Sequence, residues 1–190
     1  MFRLVGVAFV VVSGLGLVTQ DPVPEPRLLQ KAQQLSVPGD QHALLGTLAG
    51  DWDVVVRTHA PGKAATEDRG SLRCSPILGG RWCVLNFTLT LQGASVEAVQ
   101  ILGFDTLRKL WTSSWRDELA TWAVDATGPV SAERPRVLAL AGTLVDARDP
   151  TGRPFRLQLD LRDAQRVTAR LSDTVGEQLV EVQTQEWTRK

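Results

Sequence analysis

Phe155, Leu157, Leu159 and Leu161 alternate with Arg156, Gln158, Asp160 and Arg162, and this period of two, dry then wet, recurs along most of the chain. Such a period puts successive side chains on opposite faces of an extended strand. Trp52, Val54, Val56 and Thr58 alternate in the same way with Asp53, Val55, Arg57 and His59, and Leu72 and Cys74 continue the pattern. Cys83, Leu85, Phe87, Leu89 and Leu91 then alternate with Val84, Asn86, Thr88 and Thr90. Turn signals separate the runs: Pro61-Gly62, Leu78-Gly79-Gly80, Leu91-Gln92-Gly93, Thr127-Gly128-Pro129, Asp149-Pro150-Thr151-Gly152 and Asp163-Ala164-Gln165. The spacing predicts about ten short strands, with no second helical pattern long enough for a βαβ unit. A meander of that length, apolar on one face, must close on itself or pack as two sheets, because a flat sheet leaves that face wet and two edges unpaired. The expectation is an all-β fold: an antiparallel meander closing into a barrel, with one short N-terminal helix.

Asp40 is placed to cap that helix, Leu44, Leu45 and Leu48 share one face of it, and Gly50 can end it. The folded part is therefore expected over 40–190, as a single β-barrel domain. Upstream, Pro22, Pro24, Pro26 and Pro38 stand among polar side chains, so residues 21–39 read as an extended Pro-rich linker. Residues 1–20 begin with a basic Met1–Arg3 and continue as an uncharged apolar run from Leu4 to Val18, the form of an export signal or an uncleaved N-terminal anchor. The expected location is periplasmic or extracellular, with no membrane association beyond that segment.

Lys plus Arg number 21 and Asp plus Glu number 21 in 190 residues, so the chain has no electrostatic footprint for nucleic acid. Two Cys and two distant His offer too few ligands for a zinc site, and no motif calls for a cofactor. If Leu78-Gly79 or Ile77–Gly80 forms the turn, Cys74 falls directly opposite Cys83 and Leu72 opposite Leu85, close enough for a disulfide in an exported protein. Free, buried thiols are the alternative.

Gly50-Asp51-Trp52 opens the first strand and Trp187-Thr188-Arg189 closes the last. Trp52, Trp187 and Arg189 are thus expected to close one end of the barrel, leaving the opposite end for entry. Trp111 and Trp115 share a face, with Ser113 between them and Trp122 on the next strand; they can line an apolar pocket or serve as core pairs. Arg81, after a Gly-Gly turn, can meet a carboxylate headgroup at the barrel mouth or pair with Asp105 or Asp117. Asp105 and Asp117 can act as a carboxylate pair for acid/base chemistry, or simply bond backbone N–H groups of their turns. His42 and His59 read as packing or solvent-facing residues.

His42 with Leu45 and Leu48, then Gly50-Asp51-Trp52, Leu78-Gly79-Gly80-Arg81, Gly103-Phe104-Asp105 and Trp115-Arg116-Asp117 form an ordered series over about 41–188. In that order they resemble the uncharacterised bacterial family called domain of unknown function 1579, although Phe104 stands where Tyr is usual. The resemblance implies no established activity and nominates no catalytic residue. Separately, the Gly-x-Trp start and terminal Arg are similar to the signature of the lipocalin and calycin group of ligand-binding barrels, which by analogy makes the expected barrel lipocalin-like.

The leading functional expectation is non-catalytic binding of a small apolar or amphipathic ligand through Arg81, Trp111, Ser113, Trp115 and Trp122. The alternatives are a hydrolase- or isomerase-type enzyme using Asp105 and Asp117, and a solidly packed structural or interaction module. Oligomeric state carries no signal in the sequence.

Overall fold

Ten strands, each antiparallel to the next in sequence, make the sheet, and the first pairs with the last to close it. They are β1 (Gly50–Thr58), β2 (Thr66–Ile77), β3 (Trp82–Leu91), β4 (Ala94–Asp105), β5 (Leu110–Asp117), β6 (Val124–Pro129), β7 (Val137–Asp146), β8 (Asp149–Asp160), β9 (Arg166–Val175) and β10 (Gln178–Arg189). The computed structural model describes residues 26–60, 62–91, 93–147 and 149–190. The export segment expected over 1–20 lies outside them. Residues 35–190 form one compact unit.

The linker expectation needs correction. Helix α1 (Pro26–Leu35) occupies the middle of the stretch expected to be extended. Pro26 sits at the first helical position, where its fixed φ suits the turn and its missing N–H costs nothing, and Leu, Gln, Lys and Ala that follow all favour helix. Helix α2 (Asp40–Gly46) starts where expected, but Gly39 is its N-cap and Asp40 lies in the first turn.

Strand direction gives the barrel two distinct ends. One carries α2 and the connections after β2, β4, β6 and β8; the other carries the connections after β1, β3, β5, β7 and β9. At the first end Leu45 of α2 and Leu48 of the turn that follows it, both essentially unexposed, lie over the barrel. Leu48 O accepts the indole N–H of buried Trp52 at 2.9 Å. Trp52 is the ladder partner of Arg189, whose guanidinium lies 4.1 Å from the Trp52 ring centre. The same guanidinium donates to Thr47 O at 2.6 Å, Ala49 O at 2.7 Å and Ala164 O at 3.1 Å. Three segments are tied by one side chain, and this end is closed. Gly50 leaves room for it: its φ of 124° favours glycine, and a Cβ there would stand 2.9 Å from Nη1 of Arg189.

His42 belongs to the same closure. Its Nδ1 accepts the Gly39 N–H at 3.1 Å, and its other side bonds the Phe104 backbone, which fixes a neutral imidazole between two partners. Burial holds its pKa below the ordinary 6.5; the positive charge of Arg81 acts in the same direction, and the Phe104 bond opposes them. A depressed His pKa means the unfolded chain takes up a proton before the native state does. Stability is therefore expected to fall as pH drops through about 6.5 toward the lower native pKa. Urea midpoints compared at pH 7.5 and 5.5 should show this decline in the wild type and a smaller one in His42→Gln.

Candidate functional site

Inward-facing positions change character halfway along the barrel. Near α2 they are Trp52, Val54, Leu72, Leu85, Leu102, Trp111 and Leu138, all buried and apolar. Toward the other end the same phase carries Gln100, Ser113, Asp117, Asp146, Asp173, Gln183 and Gln185. A polar residue in the dry phase of a strand requires a partner or a wet space. Both are present.

The space is a cavity of about 390 Å³ in this open half. Leu89, Phe155, Leu157, Leu159 and Leu171 stand in its apolar wall, with the rings of Trp115 and Trp187 beside them. Phe87 packs behind both rings, its centre 5.2 Å from that of Trp115 and 5.8 Å from that of Trp187. Polar contacts inside are mutually satisfied in two short chains. Gln100 Nε2 donates to Ser113 Oγ at 2.9 Å. Trp187 Nε1 donates to Gln185 Oε1 at 3.0 Å, and Gln185 Nε2 donates to Gln183 Oε1 at 2.9 Å.

At the mouth, the connection after β5 brings Leu119, Ala120 and Trp122 over the cavity. Asp117 holds its base: Oδ2 accepts the Trp115 indole N–H at 2.8 Å and Oδ1 accepts the Leu119 N–H at 3.0 Å. Trp122 reaches across to donate to Val145 O at 2.8 Å. Opposite, Arg153 donates to Asp173 at 2.8 and 2.7 Å and to Asp146 at 2.8 Å. These bonds, Asp173 first, push the guanidinium pKa further up, so the cation is permanent.

Of the residues expected to bind ligand, Ser113, Trp115 and Trp122 line the cavity. Trp111 does not. It is fully buried toward the closed end, its ring 5.0 Å from that of Phe104, and among the described residues its indole N–H has no hydrogen-bond partner. Arg81 is also displaced from the expected site. It stands in the connection after β2 at the closed end, away from the mouth, donating to Ser36 O at 3.1 Å and Leu78 O at 2.9 Å, and among the described residues it pairs with no carboxylate. Trp187, expected only at the closure, is a wall of the cavity as well.

The carboxylate pair is not assembled. Asp105 is level with Leu110 at the closed end, whereas Asp117 is level with Ala98 near the mouth. Seven strand positions separate those levels, or roughly 23 Å. Asp105 instead takes the N–H groups of Leu107 and Arg108 at 2.8 and 2.9 Å and the Arg108 guanidinium at 2.6 Å, which together hold its pKa below the usual carboxylate range. His59 is a long contact, 3.4 Å, from Thr184 Oγ1.

The cysteine register is also corrected. Ile77 pairs with Trp82, so Leu78–Arg81 is the turn, Cys74 faces Leu85 and Cys83 faces Pro76. Period two fixes which face a side chain takes, and a slip of two residues preserves the face. The cysteines are diagonal neighbours, a separation longer than a disulfide's, and both are free and buried. Cys74 bonds the Cys83 sulfur, which with burial pushes the Cys74 pKa up, and Cys83 donates to Leu45 O at 3.3 Å.

Sequence reasoning missed Gln100, Asp146, Arg153, Asp173, Gln183 and Gln185. The signal was available: each continues the inward phase of an alternating run, as Asp173 does after Val167, Ala169 and Leu171.

Among solved structures, the crystal structure of Rv2717c from M. tuberculosis is similar, with a TM-score of 0.59 at 12% identity, covering 81% of this chain and 99% of that one. At that identity the likeness establishes the fold alone. No curated protein matches the chain. The family described as "Protein of unknown function (DUF1579)" matches residues 37–189, which take in the barrel and the helix that closes it, and the chain belongs to that family.

Proposed function

We propose that the protein binds a small apolar or amphipathic molecule in the open half of its barrel, without catalysis. The observation that carries this reading is the cavity of about 390 Å³, walled by leucines and by Trp115 and Trp187, with a few polar groups set among them. That combination of mostly apolar wall and sparse, placed polar groups is what small-molecule sites present, in the range of about 300–1,000 Å³. Packing supports it further. Well-packed interiors leave few voids larger than a water molecule, and here Leu157 of β8 and Leu171 of β9 line a cavity while the inward positions of the closed half are buried.

Native mass spectrometry of the protein purified from its own host should show a bound mass beyond that of the chain. Leu171→Trp, which fills the cavity from one wall, should lose that mass while keeping its thermal midpoint. A wild-type spectrum holding only the mass of the chain overturns the proposal.

A further inference from the structure

We infer that the ligand enters this cavity with a neutral hydrogen-bonding group leading, a hydroxyl or a carbonyl, which Gln100 and Ser113 receive at the deep end while the apolar body lies against Leu157 and Leu171. The inference rests on reading the cavity as a ligand site and adds which part of the ligand goes in first. Along each strand the lining stops at one level. On β4 it reaches Gln100, and Leu102, the next inward residue toward the closed end, is fully buried outside it. On β5 it reaches Ser113 and stops before the sealed Trp111; on β8 it reaches Leu159, and Leu161 beyond is buried. Gln100 and Ser113 therefore stand in the floor, although they are only 4% and 5% exposed.

A glutamine amide carries two N–H donors and a carbonyl with two lone pairs, and a serine hydroxyl carries one O–H. Among the described residues, the bond from Gln100 Nε2 to Ser113 Oγ at 2.9 Å is the one hydrogen bond that either side chain makes. It leaves the Gln100 carbonyl, its second N–H and the Ser113 O–H to whatever fills the cavity. In a wet cavity water serves such groups. An apolar end pressed onto them would displace that water and return no hydrogen bond, the costly case for a buried polar group. A hydroxyl answers them in both senses, donating to the Gln100 carbonyl and accepting from Ser113, and a carbonyl accepts from the Ser113 O–H and the Gln100 N–H. The other lining residues at this depth, Leu159, Ala169 and Trp187, are uncharged, and the Trp187 N–H is already spent on Gln185. A charged group carried to the floor would be desolvated there among neutral side chains.

The test compares 2-naphthol with naphthalene, which share a ring system and differ by one hydroxyl, by equilibrium dialysis at neutral pH against the full chain stripped of bound lipid. The readout is the ratio of the two dissociation constants, variant against wild type, in which the hydration of the free compounds cancels. Gln100→Leu is expected to lower the preference for 2-naphthol by about fivefold or more, the size of one net hydrogen bond. Ser113→Ala, which removes the hydroxyl without adding bulk, should act in the same direction. Gln183→Leu, nearer the mouth on β10, should leave the ratio within about twofold. A ratio unchanged in both Gln100→Leu and Ser113→Ala overturns the inference and leaves the cavity reading standing. So does a ratio that falls in Gln183→Leu instead, which would put the hydroxyl at the mouth. If neither compound binds to the folded protein, the cavity reading fails and takes this inference with it.

Discussion

Trp52→Ala is expected to lower the unfolding free energy by about 3–5 kcal/mol, the usual cost of truncating a buried aromatic side chain to alanine. Trp52 is 1% exposed and meets two partners that the substitution would abandon: Leu48 O loses its N–H donor, and the Arg189 guanidinium loses the ring beneath it. Trp52→Phe keeps a ring face and gives up the hydrogen bond, and should cost about 1–3 kcal/mol. Arg189→Lys retains charge but cannot fork to Thr47 and Ala49 at once. A double-mutant cycle between Trp52→Ala and Arg189→Lys should return a coupling of about 0.5–2 kcal/mol. Urea unfolding of all four proteins is the measurement. Coupling indistinguishable from zero would show that α2 is held without the pair.

Arg153→Met should cost about 3–5 kcal/mol at neutral pH, since it removes the cation bonded to both carboxylates of a largely buried ionic cluster. Asp146 and Asp173 are 25% and 8% exposed, and each also accepts a backbone N–H, from Asp149 and Thr174 respectively. Neutralising the acids separates this cause from simple loss of packing. Adding Asp146→Asn and Asp173→Asn should recover most of the loss at pH 7. A deficit that ignores the asparagines would assign the effect to packing.

How legible this protein is from sequence depends on which property of alternation is being read. Phase is legible, because a buried face tolerates no one-residue slip: Phe155, Leu157 and Leu159 sit on the inner side as their pattern requires, and the closed ten-strand order follows from too many strands with one dry face. Register is not, as the Cys74 to Leu85 pairing shows, since a slip of two leaves the pattern intact. Position along the barrel axis is the harder loss. Trp111 and Trp115 share a strand and a face, yet one is sealed beside Phe104 and the other walls the cavity, and nothing in the alternation separates them. Asp105 and Asp117 are split by the same axis. Helix α1 escaped for a different reason: four prolines over 21–39 outweighed the helix-forming run after Pro26, although proline at a first turn is compatible with helix.

The pairing of β1 with β10 also governs when this barrel can come into being. Arg189 reaches Ala49 across 140 positions of chain, and Lys190 N–H bonds Asp51 O at 3.0 Å, so the seam that completes the wall and the clasp over α2 both draw on the tenth strand and the residue beside it. Contacts of such long range come slowly, after the entropy of closing a loop of that size has been met. Neighbouring hairpins can form in order as the chain emerges, but the first strand keeps one edge bare until the tenth arrives. The wall is therefore finished only once the tenth strand has been made and has met the first.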